Sequence, residues 1–325
     1  MTSGTLIDAH VHVLGTGSNG SGCWLRLSGY HRLLALYILR ELGLPSTLLK
    51  GGLDQVYVER LLQMLRGSLV SRAVLLAHEH VYDEAGRRIE NFGSFFVPNR
   101  YVLELAKRHP EFLAGVSIHP ARHDALDELD LCIEEGAALM KCLPNCQNID
   151  CSNPRYKKFW ERMAQAGLPL LAHTGGELSV PVYNKLYSDP ERLRLPLECG
   201  VKVIAAHCAT SSLFFDTDYT KNFATMLRQY PNLFGDNSGM QTPIRSRHFR
   251  RILEEDISSR LIHGSDFPIP ISATWARLRG FLSRSQAKEL NSNKNVLERD
   301  VLIKRAMGFP EGTFTRAAAV LRLPN

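Results

Sequence analysis

The sequence predicts an α/β fold of the (β/α)8 TIM-type barrel class, and three observations point to it. Short apolar runs rich in β-forming residues recur eight times, with helical segments between them. Gly136, Gly167 and Gly200 each follow a helical run and precede a strand, where helix C-termini favour glycine. The chain has 325 residues, 44% of them hydrophobic, which is enough to bury a barrel-sized core.

The alternation of strands and helices decides the predicted topology. It calls for a parallel sheet with right-handed crossovers. Eight units favour a closed barrel over an open doubly wound sheet, since no Gly-x-Gly-x-x-Gly turn follows the first strand. In chain order, strands are predicted at residues 6–13, 73–77, 114–118, 138–142, 168–172, 201–206, 232–235 and 261–264. Helices are predicted at residues 99–108, 125–135, 154–165, 190–198, 219–230 and 248–256.

Two regions exceed the repeating unit. A long insertion at residues 14–71 follows the first strand and contains helical runs near residues 30–42 and 53–65. A helical C-terminal segment at residues 273–325 follows the last strand. We find no internal repeat or linker, and therefore expect one domain over residues 1–325, with the insertion above the active site.

Composition excludes several classes of protein. No stretch of about 18 apolar residues exists, so no membrane span is expected. The first residues lack the basic and apolar segments of a secretory signal, and the seven scattered cysteines favour reduced thiols, so a cytoplasmic location is expected. The net charge of +6 is spread through helical segments, which predicts a solvated surface and no nucleic-acid partner. The expected partner is a small-molecule substrate, and a homo-oligomer is compatible with the sequence.

His10 and His12 are the first candidate site residues. Residues two apart on a strand point to the same face, and imidazole is the commonest metal-binding side chain. Barrel active sites lie at the C-terminal ends of the strands. Further candidates stand at the ends of the fourth, fifth, sixth and eighth predicted strands: Lys141, His173, His207 and Asp266. One histidine at a strand end is commonly structural, but this set at equivalent positions predicts a metal site.

This set of residues resembles the amidohydrolase superfamily, and most closely its amidohydrolase-2 branch of hydrolases, decarboxylases and lactonases. The resemblance implies that His10, His12, Lys141, His173, His207 and Asp266 surround one or two divalent ions. Zn²⁺ is the expected metal, with Mn²⁺ or Fe²⁺ as alternatives. It also implies that metal-activated hydroxide attacks a carbonyl while Asp266 moves the proton to the leaving group. His207 would bind a second metal or stabilise the oxyanion.

Lys141 decides the number of metals, and three interpretations remain open. Carboxylated on its Nζ by CO₂, it would bridge two ions, with His10 and His12 on one and His173 and His207 on the other. Left as a cation, it would bind a substrate carboxylate beside a single metal. It could also lie away from the metal.

The expected function is hydrolysis of a C–N bond or an ester or lactone C–O bond in a small molecule. The alternatives are a metal-dependent non-oxidative decarboxylase and a barrel whose metal supports only binding or stability. The insertion and the loop after the seventh strand supply the candidates for substrate contact: Trp24, Arg26, Arg245 and His248. The histidines of the second His-x-His (His78 and His80) and His119 are expected to be structural.

Overall fold

Eight parallel strands form the central sheet of the computed structural model, which describes residues 5–323. In chain order they are β1 (Ile7–His12), β2 (Arg72–Leu76), β3 (Phe112–Val116), β4 (Leu139–Cys142), β5 (Leu170–His173), β6 (Val203–Ala206), β7 (Leu233–Asp236) and β8 (Leu261–Ile262). Each strand pairs with the next one along the chain. After β8 the chain returns to β1, where the Ala9 amide donates to the His263 carbonyl at 3.0 Å. The sheet is therefore a nearly closed barrel, and the predicted fold class is confirmed.

Helices flank the barrel. They are α1 (Gly29–Glu41), α2 (Leu53–Arg66), α3 (Asn99–Arg108), α4 (Ala125–Glu134), α5 (Pro144–Gln147), α6 (Lys157–Gln165), α7 (Arg194–Glu198), α8 (Thr220–Gln229), α9 (Phe249–Ile252), α10 (Glu255–Ser258), α11 (Ala273–Leu278), α12 (Arg284–Ser292), α13 (Val296–Ala306), α14 (Glu311–Thr315) and α15 (Ala317–Val320). All predicted helices overlap observed ones, but residues 248–256 form two short helices. The break occurs because Glu254 is extended, at φ −64° and ψ 143°. Among the residues described, no helix has the length and apolar character needed to cross a membrane.

The strands alternate between two apolar layers. Side chains such as Leu139, Leu171 and Ile204 fill the barrel interior. Their neighbours Met140, Ala172 and Val203 pack outward against the helices. This period of two is the expected pattern for a sheet buried on both faces. It places every second residue at the end of a strand over the barrel mouth.

The carboxylate of Asp54 holds the start of the insertion against α2. It accepts hydrogen bonds from the Thr16 amide at 2.8 Å and the Gly17 amide at 3.3 Å, and another from the Ser21 hydroxyl. Further along, Trp24–Leu25 pairs antiparallel with Phe95–Phe96, a segment of the chain that follows β2. This small sheet was not expected from the sequence. It fixes the insertion beside the barrel mouth.

Candidate metal centre

A shift of register in β1 points His10 and His12 into the barrel mouth. Ile7 and Ala9 belong to the interior layer, whereas Val11 packs in the outer layer. The alternation therefore breaks in the middle of the strand, where the pairing of β1 with β2 shifts between Asp8 and Val11. Irregularities of this kind re-aim side chains next to active sites. Without the shift, strict alternation from Ile7 would have turned both imidazoles outward.

His10, His12 and Asp266 converge at the mouth, and one potential ligand atom from each lies within 4.8 Å of the others. The Nε2 atoms of His10 and His12 are each 3.4 Å from Asp266 Oδ1. The buried Nδ1 of His12 has no hydrogen-bond partner among the residues described. Two imidazole nitrogens and a carboxylate oxygen are ligands that suit Zn²⁺ and related divalent ions. The donor set therefore fits a metal ion.

Asp236, at the end of β7, orients His10. Its Oδ2 lies 2.7 Å from His10 Nδ1, while its Oδ1 accepts from the His207 amide, also at 2.7 Å. Since a carboxylate only accepts, His10 carries its proton on Nδ1 and presents the Nε2 lone pair to the mouth. Burial foremost, and then the charge of Lys141, lower the pKa of His10 well below its usual value. His10 is therefore neutral, as a metal ligand must be.

Lys141 lies inside the same cluster. Its side chain is buried, and Nζ is 3.0 Å from His10 Nε2. Burial lowers its pKa, although the charges of Asp236 and Asp266 act in the opposite direction. Among the residues described, no carboxylate lies within 4.0 Å of Nζ. The interpretation that places Lys141 away from the metal does not fit this position.

His173 and His207 form a second pair of imidazoles, with ring centroids 4.9 Å apart. Burial lowers the pKa of both well below the usual value. The carbonyl of Ser238, 3.0 Å from His207 Nδ1, can only accept, so the Nε2 of His207 carries the lone pair. Across residues 5–323, no third His, Cys, Asp or Glu completes a ligand group around this pair. A second ion here would therefore depend on Lys141.

Asp266 is the acid–base candidate, and its side chain is 14% exposed. Burial alone would raise its pKa, but the hydrogen bond from His12 and the charge of Lys141 outweigh that effect. The net pKa lies below the usual value, so the carboxylate is ionised at neutral pH. An ionised carboxylate open to the mouth can accept a proton.

A cavity of about 510 Å³ opens above these residues. Arg245, one of the predicted substrate contacts, lines it. The guanidinium is buried and donates to the carbonyls of Thr210 at 2.9 Å and Gly176 at 2.5 Å. Among the residues described, Arg245 has no carboxylate within 4.0 Å. It is a buried cation beside the site.

Three other predicted substrate contacts do not line the cavity. Trp24 stacks on His80 and Phe96, and Arg26 lies over the Trp24 ring. The residues that do line it are their neighbours Leu25 and Leu27, because side chains alternate along an extended segment. His248 bonds to the Ser211 hydroxyl at 3.0 Å and lies 3.5 Å from Asp218 Oδ2. The structure does not support these three predictions.

Two residues of the site, Asp236 and Glu177, are not among the site residues predicted from the sequence. The run Asp236-Asn237-Ser238 is equally typical of a solvated turn. The contact of Asp236 with His10 becomes visible only when β7 is placed beside β1. Glu177 follows the glycines after β5 and lines the cavity, with Oε2 3.4 Å from His173 Nε2. Burial raises its pKa. Its position four residues after the predicted ligand His173 was the available signal.

The fold and the site define a TIM-barrel protein with a candidate metal centre at the C-terminal ends of its strands. The chain belongs to the amidohydrolase family, since the family model described as Amidohydrolase, of the amidohydrolase-2 branch, matches residues 7–290. This membership confirms the resemblance stated above. No protein of curated function matches the chain by sequence.

Solved structures share the barrel. An uncharacterised TIM-barrel protein from Bordetella bronchiseptica has a TM-score of 0.59 at 15% identity, covering 93% of this chain and 99% of its own. The 5-carboxyvanillate decarboxylase of Sphingomonas paucimobilis has a TM-score of 0.58 at 13% identity, covering 98% and 99%. A probable 2-pyrone-4,6-dicarboxylic acid hydrolase from Acinetobacter baumannii has a TM-score of 0.51 at 15% identity, covering 94% and 100%. At these identities the likeness concerns the fold alone.

Proposed function

We propose that the chain is a metal-dependent hydrolase that cleaves a C–N bond or an ester or lactone C–O bond in a small molecule. The observation that carries the proposal is the position of Asp266. Its ionised carboxylate lies beside His10 and His12 and is open to a cavity of about 510 Å³. Such a cavity is of the size that holds a small-molecule ligand.

His10, His12 and Asp266 would hold the ion, with Zn²⁺ as the proposed metal. When bound, it would polarise a carbonyl oxygen and lower the pKa of a water molecule. Asp266 accepts a proton from the attacking water as the oxygen of that water adds to the carbonyl carbon. It then delivers that proton to the nitrogen or oxygen that leaves, so one carboxylate serves both halves of the reaction.

His207 acts through its Nε2 lone pair. Because Nδ1 is committed to the Ser238 carbonyl and the ring is neutral, Nε2 has no proton to give to an oxyanion. Of the two roles expected for His207, the hydrogen bonding therefore favours ligation of a second ion, shared with His173. Arg245 is the proposed contact for a negatively charged group of the substrate.

The test of the proposal is Asp266→Asn in zinc-loaded protein, assayed on a panel of esters, lactones and N-acyl amides. We expect kcat/KM to fall by about 10²- to 10⁴-fold, the usual contribution of a general acid–base group. Metal content should remain, because His10 and His12 still bind. Asp127→Asn, which changes an exposed carboxylate on α4, is the control and should keep full activity. Undiminished turnover in Asp266→Asn would remove this residue from the mechanism.

A second candidate function, non-oxidative decarboxylation, is favoured by a specific observation. Lys141 and Arg245 are two buried cations near the cavity without an ion-pair partner among the residues described. Such charges suit a substrate that carries a carboxylate. Turnover in H₂¹⁸O separates the two functions. Hydrolysis places ¹⁸O in the acid product, whereas decarboxylation releases CO₂ without labelling the organic product.

A further inference from the structure

Charge and apolar surface are segregated within the cavity. Its Asp, Glu, Lys and Arg residues come from the strand ends of the barrel and the loops that follow them: Lys141, Glu177, Arg245 and Asp266. The insertion contributes a long wall to the same cavity. None of the insertion residues that line it is Asp, Glu, Lys or Arg. The charged residues that line the cavity therefore all come from the barrel, and the part lined by the insertion carries none of them.

Helix α1 supplies half of the insertion residues in this uncharged wall. His31, Leu34, Ala35 and Ile38 line the cavity at spacings of three and four residues, and Tyr37 and Leu39 widen the same side of the helix. Leu33, on another face of α1, is 69% exposed and does not line the cavity. One side of α1 therefore faces the cavity, and Leu33 lies outside it.

Other apolar walls continue this surface. Leu25 and Leu27 face the cavity from the extended segment before α1, and Phe95 faces it from the paired strand. Ile269 and Trp275 close it from the segment after β8. A ligand that covers apolar surface in a concave site removes it from water, and this burial favours binding.

We propose that the substrate carries a large apolar group, an alkyl chain or a ring system, which lies against the insertion while the reacting polar group meets the strand ends. The reaction in this proposal rests on the proposed hydrolase function, whereas the binding of the apolar group rests on the residues that line the cavity. Burial of one CH₂ contributes about 0.8 kcal/mol, which is about fourfold in affinity or kcat/KM. A substrate without the apolar group would leave the apolar residues of the insertion exposed to water.

The first experiment compares p-nitrophenyl acetate, butanoate, hexanoate and octanoate as substrates of the zinc-loaded protein. In parallel, calorimetry measures the binding of acetate, butanoate, hexanoate and octanoate themselves, below their micelle concentrations. We expect kcat/KM and affinity to rise with each added CH₂, by up to about fourfold, until the cavity is filled.

The two arms distinguish failure of this proposal from failure of the hydrolase function. If the carboxylates bind more tightly with length but no ester is cleaved beyond the metal-only rate, the apolar site stands and the hydrolase function falls. If esters are cleaved but neither arm depends on chain length, the hydrolase function stands and the apolar site is overturned. Absence of both turnover and binding overturns both.

A matched pair of variants locates the site. Leu34→Gln places an amide in the lining, whereas Leu33→Gln makes the same change at the exposed neighbour on α1. We expect Leu34→Gln to lower the ratio of octanoate to acetate affinity by about tenfold, because the amide must be buried against the chain. Leu33→Gln should leave that ratio within about twofold of wild type. Equal ratios in the two variants would overturn the proposal, and Leu25→Gln repeats the test from another wall if Leu34→Gln fails to fold.

Discussion

Replacing Asp236 with asparagine should weaken metal binding, although Asp236 does not belong to the proposed ligand group. Both of its carboxylate oxygens accept hydrogen bonds, Oδ2 from His10 Nδ1 and Oδ1 from the His207 amide, each at 2.7 Å. Ser238 also donates to Oδ1 through its hydroxyl at 2.6 Å. An asparagine has only one acceptor oxygen, so its NH₂ group must face a donor on one side. Facing His10, it would move the imidazole proton to Nε2 and block the atom that meets the metal.

Loss of a carboxylate that orients a metal-binding histidine typically costs 10- to 100-fold in affinity, which is about 1.4 to 2.7 kcal/mol. We expect Asp236→Asn to fall in this range when Zn²⁺ affinity is measured by competition with a chelating dye. Asp54→Asn is the control, since Asp54 is an equally buried carboxylate with several donors but holds the insertion loop. Both variants should lose stability, but only Asp236→Asn should lose metal affinity. A Zn²⁺ affinity unchanged within about twofold in Asp236→Asn would refute the orientation of His10 described above.

Two further predictions concern the framework. Gly175→Ala should lower the free energy of unfolding in urea by more than about 2 kcal/mol, because the new Cβ would lie 2.3 Å from the Thr210 carbonyl oxygen at a φ of +75°. Gly136→Ala, at φ +93° with open space around the Cβ, should cost only about 1 kcal/mol, and equal losses would contradict the packing argument. Burial lowers the pKa of His119 from 6.5 to about 4, so the unfolded chain takes up the proton first as the pH falls. The contribution of His119 to the free energy of unfolding is fully present above pH 6.5 and falls by about 3 kcal/mol between pH 6.5 and 4. The free energy of unfolding of His119→Gln should depend correspondingly less on pH. An unchanged pH dependence in this variant would argue against the burial of His119.

The barrel was predictable because its strands are short apolar runs whose lengths and spacings are set by burial on both faces. The positions of Lys141 and His173 also follow from the sequence. Each lies two residues after an interior side chain, Leu139 or Leu171, so regular alternation carries it into the barrel mouth.

The sequence did not predict which side chains face the mouth or the cavity where the alternation along a strand breaks or depends on a partner strand. The shift within β1 arises from its pairing with β2, and no local pattern marks it. The choice of Leu25 and Leu27 over Trp24 and Arg26 depends on the pairing of this segment with Phe95–Phe96. In this segment the polar and aromatic side chains were predicted to contact the substrate, whereas the leucines between them line the cavity.

The most direct test of the metal centre is anomalous diffraction from zinc-loaded crystals, recorded on both sides of the zinc absorption edge. We predict an anomalous peak bonded to His10 Nε2, His12 Nε2 and the Asp266 carboxylate. A second peak beside His173 and His207, with extra density on Lys141 Nζ, would mark the two-metal form; a single peak beside an unmodified Lys141 would mark the one-metal form. Zinc bound elsewhere, with these three side chains unliganded, would contradict the proposed centre.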